Sequence, residues 1–169
     1  QEKHGTVPFY VPWIELAFPA RPAAVWGDAA VDAPWVLHER YADEGLLRAQ
    51  YPSMRAWVDQ IAAIAGEKHL WDTGFQFGDW LDPAAPPDRP AAARTDPSLV
   101  ATAALARSAR TLARIAEILG EAAHAGIELV IDDALVRREV VRLDPRALPV
   151  ERRGRDEPEP VLLVDGHPE

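Results

Sequence analysis

The stretch from Thr95 to Gly120 constrains the fold more than any other part of the chain. Asp96 stands where a helix N-cap belongs. Pro97 follows at the first helical position, where its missing N–H is no loss, and Gly120 lies just past the end, where a left-handed residue closes a helix. Between them Leu99, Leu105, Leu112, Ile115 and Leu119 recur at helical spacing with alanines among them, while Arg107, Arg110 and Arg114 fall on the other side. Small alanine side chains let neighbouring helices approach closely, so this segment predicts a long helix packed against others.

Upstream, Asp28 is placed to cap a helix over Ala29–Tyr41, although Pro34 sits inside it and suits such a helix only at its first position. A second helical stretch is expected over Asp43–Ala65, interrupted near Pro52 and closed by Gly66, with Met54, Trp57, Ile61 and Ile64 on one apolar face. Residues 1–24 are rich in proline and aromatics and show no helical period. Residues 67–90 form a long segment punctuated by Gly74, Gly78 and a Pro-rich run at 84–90. The expectation is an all-α array whose helices are joined by long, function-sized loops.

Aromatic residues divide the chain in two. Its 6 Trp, 3 Tyr and 4 Phe all lie between Phe9 and Trp80, and none follows. From Glu121 onward, 12 acidic and 7 basic side chains occupy 49 residues, a much higher charge density than before. Large rings dominate cores and pockets, so residues 121–169 read as an irregular, divergent charged tail, distinct from residues 1–120.

Composition removes several function classes. A formal charge of −9 argues against a nucleic-acid partner, and no apolar run approaches the length that crosses a membrane. There is no cysteine to act as nucleophile, disulfide partner or metal ligand, and the five histidines lack zinc spacing, so neither metal nor other cofactor is expected. No phosphate-binding glycine loop or nucleophile elbow occurs. Residues 1–5 hold no apolar segment of the kind a secretory leader carries, which favours a cytoplasmic setting slightly.

What remains is tryptophan beside carboxylate on glycine-punctuated loops. Polar groups and rings concentrate in Trp26-Gly27-Asp28, His38-Glu39-Arg40-Tyr41, Trp71-Asp72-Thr73-Gly74 and Phe77-Gly78-Asp79-Trp80. Such pairs suit carbohydrate: an indole covers the apolar C–H face of a sugar ring while carboxylates accept from its hydroxyls. Each also has a structural reading, with the tryptophans in the core, Asp28 as a cap, and His38 and Glu39 on a helix surface.

In order along the chain, Pro8-Phe9-Tyr10-Val11-Pro12, Ala24-Val25-Trp26-Gly27-Asp28-Ala29-Ala30, Pro34-Trp35-Val36-Leu37, Gln50-Tyr51-Pro52-Ser53-Met54 with Trp57, and Leu70 through Leu81 resemble bacterial α-L-rhamnosidases of glycoside hydrolase family 78. Thr95-Asp96 and the Ala-rich helix to Gly120 complete the resemblance, which covers residues 5–120. It implies part of an (α/α)6 six-hairpin toroid that removes terminal α-L-rhamnose from glycosides with inversion. Inversion needs a carboxylic acid and a carboxylate base on opposite faces of the sugar. By the resemblance, the acid lies in an Asp…Glu-Arg-x-Gly-Trp-x-Gly-Asp run before the matched region and the base in a Trp-Glu-x-Trp-like segment after it. Neither run is present in these 169 residues. The resemblance therefore implies no catalytic residue here. It does imply a sugar-holding set in which Trp26 and Trp80 wall the rhamnose ring and its methyl, and Asp28, Asp72 and Asp79 line or brace the rim.

A partial toroid leaves helix faces without neighbours, so the chain is expected to be poorly stable and inactive by itself. The tail reads either as sequence foreign to the family, such as a frameshift yields, or as a divergent linker; a protease-stable core reaching past residue 130 would exclude the first. Two further readings stay open. One is a non-catalytic sugar-binding or interaction module, which would saturate with rhamnose where a truncated toroid would not. The other is a different six-hairpin glycosidase or lyase.

Overall fold

The computed structural model describes residues 1, 5–13, 20–80, 82–89 and 92–121. Three helices carry this part of the chain: α1 (Ala29–Tyr41), α2 (Glu44–Ala65) and α3 (Pro97–Leu119), with one 3-10 turn at Gly66–Lys68 after α2. No strand occurs among the described residues. The expected charged tail lies outside them, apart from its first residue.

Only Ala42 and Asp43 separate α1 from α2. Ala42 adopts a left-handed conformation and its N–H returns to the His38 carbonyl, while the Asp43 side chain accepts from Leu46 N at 2.9 Å. A left-handed stop followed at once by a carboxylate cap makes this a tight αα-hairpin. α3 begins and ends as its sequence implies, with Asp96 accepting from Ser98 N at 2.7 Å, Pro97 next and Gly120 at φ 66°.

Of the two proline-marked helices, α1 keeps the bounds expected of it and α2 corrects its expectation. α1 starts at Ala29 and runs through Pro34, whose ring is buried and adds apolar contact where a backbone bond is lost. α2 is continuous through Pro52 rather than interrupted. Pro52 is exposed, so the carbonyl it leaves unbonded one turn earlier is on a side open to water.

α2 packs against both α1 and α3, and α1 also meets α3. At the centre Met54, Trp57, Val58 and Ile61 of α2 are fully buried with Leu105 and Ile115 of α3, Val31 of α1 and Leu47. Ile64 lies at the edge, partly exposed, and Ala65 takes the buried place expected of it. On α3 the buried alanines 101, 104, 106, 109 and 116 permit the close approach inferred from their number. Val36, Leu37 and Tyr41 on α1 stay exposed, as does Ile118 on α3.

Candidate functional site: an aromatic cluster on two loops

Two loops meet above the N-terminal end of α1. The first carries Ala24, Val25, Trp26 and Gly27; the second runs from His69 to Asp96. Ala24 N donates to Gln76 Oε1 at 2.8 Å and so joins them directly.

Phe77 is the centre of what they build. Its ring lies 5.1 Å from Trp26, 5.4 Å from Trp80, 4.8 Å from Phe75 and 5.3 Å from Phe9, three of these contacts being edge-on. Such spacings are those of favourable aromatic pairs. The Arg21 guanidinium lies over Phe75, 4.3 Å from the ring centre. Trp26 and Trp80 remain 44% and 43% exposed. The structure thus brings the two sequence-singled indoles to one ring and leaves both facing outward.

The carboxylates part company. Asp28 is wholly buried, and it does not cap α1: its backbone is helical and its side chain turns inward. Oδ1 accepts from Trp57 Nε1 at 3.0 Å and from Ser108 Oγ, while Oδ2 accepts from Val25 N at 2.6 Å. One carboxylate therefore joins the loop, α2 and α3. Val25 sits at φ 69°, a left-handed conformation that a β-branched residue rarely adopts. Its N–H bond to Asp28 holds it there, and this strained residue directly precedes Trp26. Asp28 braces the aromatic loop from beneath and is closed to anything outside. Gly27 between them has no room for a side chain, since a Cβ there would lie 2.1 Å from Trp57 Cη2.

Asp72 and Asp79 are exposed on the second loop. Asp79 Oδ2 accepts from Thr95 Oγ1 at 3.4 Å, at the long end of hydrogen bonding. Trp71, the aromatic neighbour of Asp72, belongs to the core: it is 1% exposed, 6.2 Å from Trp57, and its N–H donates to Thr102 Oγ1 of α3 at 3.0 Å. His38 is half-buried in α1, with its ring 5.8 Å from Trp35 and its Nδ1 enclosed without a partner.

Asp82 and Arg94 also shape the site, and neither was singled out from sequence. Asp82 accepts from Ala84 N at 2.8 Å, Arg94 N at 3.0 Å, Arg94 Nε at 3.1 Å and Arg94 Nη2 at 3.3 Å. The Arg94 and Ala84 backbone N–H groups, then the guanidinium, hold its carboxyl down at about 2; Arg94 is raised in turn by its bond to Asp82. Between α1 and α3, Asp32 pairs with Arg107. Burial raises the Asp32 carboxyl, Arg107 opposes that shift, and the nearby Asp28 charge adds to it.

Residues 1–127 match the family described as the bacterial alpha-L-rhamnosidase 6 hairpin glycosidase domain. The chain belongs to that family. An alpha-L-rhamnosidase of Alteromonas sp. (strain LOR) is 37% identical over 125 residues, 71% of this chain and 13% of that protein. One of Formosa agariphila is 33% identical over 121 residues, 72% of this chain and 12% of the relative. The chain thus spans about an eighth of the length of these rhamnosidases. Native α-L-rhamnosidase of Aspergillus terreus superposes at TM-score 0.71 with 37% identity, covering 84% of this chain and 16% of that structure. The Streptomyces avermitilis alpha-L-rhamnosidase complexed with L-rhamnose gives 0.62 with 27% identity, covering 82% and 12%. The three helices are accordingly part of a six-hairpin rhamnosidase domain.

Among the described residues no group of three His, Asp or Glu side chains is arranged to hold a metal ion, and no helix is long and apolar enough to cross a membrane.

Proposed function

We propose that residues 1–120 form one wall of the rhamnose pocket of an inverting α-L-rhamnosidase, acting on glycosides with a terminal α-L-rhamnose. Trp26 and Trp80 are its apolar surface, Asp79 and Asp72 its exposed carboxylates, and Asp28 the buried brace. The observation that carries this reading is the convergence of two half-exposed indoles on Phe77, while Trp57 and Trp71 are spent on the core. Rhamnose is a 6-deoxy sugar, and burying its methyl against an indole favours it over the hydroxylated counterpart by about 1 kcal/mol. A relative solved with L-rhamnose supports the ligand class. The exposed Val36, Leu37 and Tyr41 are the kind of surface that neighbouring hairpins of a toroid cover.

The acid and base runs are not in this sequence, so these residues hold the sugar and the chain by itself performs no hydrolysis. Two measurements test the reading. With 5-fluorotryptophan incorporated, high-millimolar L-rhamnose is expected to move the Trp26 and Trp80 fluorine resonances without saturation, and L-mannose to move them less. Trp57 and Trp71 should stay in place. A saturating response would favour a self-contained sugar-binding module, and no response at Trp26 or Trp80 would overturn the sugar assignment. In the second, the chain should leave an aryl α-L-rhamnoside intact; turnover abolished by a single carboxylate substitution would overturn the inactivity.

A further inference from the structure

We infer that Asp82, clamped by Arg94, is a positioning residue that sets where the Trp80 indole stands in the aromatic wall. The inference rests on the sugar-wall reading for its purpose and on separate geometry for its content.

Trp80 lies on a long loop and gains no helical support of its own. The residues around it are instead fastened to the start of α3. Gly78, at φ 64°, packs so closely on Pro97 that a Cβ would lie 3.2 Å from its ring. Asp79 accepts from Thr95 Oγ1. Asp82 takes two backbone N–H groups and both Nε and Nη2 of Arg94. Positions 78, 79 and 82 are thus registered against 97, 95 and 94, in reversed order, with Trp80 at the middle of the pinned segment.

Of the three contacts, the one to Asp82 is the strongest. The Asp79 bond is long and exposed, and the Gly78 contact is van der Waals only. The Asp82 carboxylate is nearly inaccessible, accepts four donors, and meets the guanidinium with two of its nitrogens, an arrangement that fixes direction as well as distance. Between the two clamped residues the chain makes turns of its own, Ala85 N to Asp82 O, Arg89 N to Pro86 O and Ala92 N to Arg89 O. Without the clamp, the Trp80 segment keeps the Phe77 ring contact but is tied to the start of α3 through the weaker Gly78 and Asp79 contacts.

The first loop repeats the arrangement. Each half-exposed tryptophan is followed two residues later by a buried carboxylate, Trp26 by Asp28 and Trp80 by Asp82, and each carboxylate accepts from the backbone of its own loop. Asp28 fastens its loop to the core; Asp82 fastens its loop to the residues leading into α3.

The test uses the full chain labelled with 5-fluorotryptophan, with the Trp80 resonance identified by its loss in Trp80→Phe. In sugar-free spectra, Asp82→Asn and Arg94→Ala are each expected to move and broaden the Trp80 resonance while leaving Trp57 and Trp71 in place. Arg94→Lys keeps the backbone donor and the charge, and should return Trp80 most of the way to its wild-type position. With L-rhamnose added, the sugar-induced shift at Trp80 should fall at least twofold in Asp82→Asn. A Trp80 resonance unmoved in Asp82→Asn would overturn the inference, and so would equal movement of all six indoles, which marks general loosening. Rhamnose leaving wild-type Trp26 and Trp80 unmoved would overturn the functional reading alone, because the sugar-free spectra report the indole's position without it.

Discussion

Two pairs of tryptophans in this molecule do opposite things. Trp57 and Trp71 meet edge-on at 6.2 Å in the helical core, essentially without exposure; Trp26 and Trp80 stand on loops, nearly half exposed, against a shared phenylalanine. The difference lies in what surrounds each indole. Trp57 sits on α2 with Met54 and Ile61 one turn away on either side, and Trp71 follows the turn that brings the chain back across α3, where Thr102 captures its backbone. Trp26 and Trp80 have glycine within two residues, Gly27 and Gly78, and a carboxylate two residues on. Helical neighbours bury a ring, whereas glycine and a buried aspartate hold a loop so that its ring stays outside. The two pairs are linked through Asp28, which bonds the Trp57 indole with one oxygen and the loop before Trp26 with the other.

Gly27→Ala breaks the comparison most severely. The added methyl would meet three atoms of the Trp57 ring at 2.1–2.7 Å, and a rigid indole packed among helices cannot retreat as a flexible side chain does. Overpacking of this kind commonly costs about 1–3 kcal/mol and more against a rigid partner. A loss of about 3 kcal/mol is expected, read as a fall of more than ~10 °C in the thermal midpoint followed by helical circular dichroism. An unchanged midpoint would mean that the loop does not rest on the core indole.

Asp28→Asn comes next and tests the link itself. An amide can accept from Trp57 and Ser108 through its oxygen, but its NH2 then faces the Val25 N–H; turned over, its NH2 can be accepted by Ser108 Oγ but opposes the Trp57 N–H. Either way buried donors lose an acceptor, at about 2 kcal/mol in denaturant unfolding. Fluorine resonances should move at both Trp57 and Trp26, one from each pair. Movement at Trp57 alone would show that Val25 keeps its left-handed backbone without the carboxylate.

Much of the fold was legible because helices announce themselves locally. Asp96, Pro97 and Gly120 mark the ends of α3 to within a residue, and its alanine face is where the other helices lie. Pro52 misled, and Pro34 left the start of its helix open, because a proline's effect depends on tertiary surroundings that spacing does not contain: Pro34 is covered by the core, and Pro52 faces water. The site was half legible. Trp26 and Trp80 stand out by their glycine and carboxylate neighbours. Phe77 as the ring that Trp26 meets, Gln76 as the bridge to Ala24, and Arg94 as the partner of Asp82 depend on loops crossing in space, with Gln76 52 positions from Ala24 and Arg94 12 from Asp82. Asp28 sits at the helix boundary that an N-cap occupies, and only its helical backbone and inward side chain reveal it as a joint between core and loop.

The smallest effect separates the two loops by acid. Asp82 is lowered from 3.8 to about 2, so its contribution to the folded state is complete above pH 3.8 and is lost as pH falls toward 2. Asp32 is raised, so its contribution has the opposite sign, present below pH 3.8 and lost as pH rises through its higher folded value. The two partly cancel in the overall acid stability, which makes a global midpoint a poor reporter of either. The Trp80 resonance is the better one. It should titrate near pH 2 in the wild-type chain, over the range where the helical signal persists, and not at all in Asp82→Asn. Trp26, fastened through the core rather than through this clamp, should show no step with that midpoint. A Trp80 step at 3.8 instead would show that the carboxylate titrates as it does in open water, with Arg94 no longer gripping it in solution.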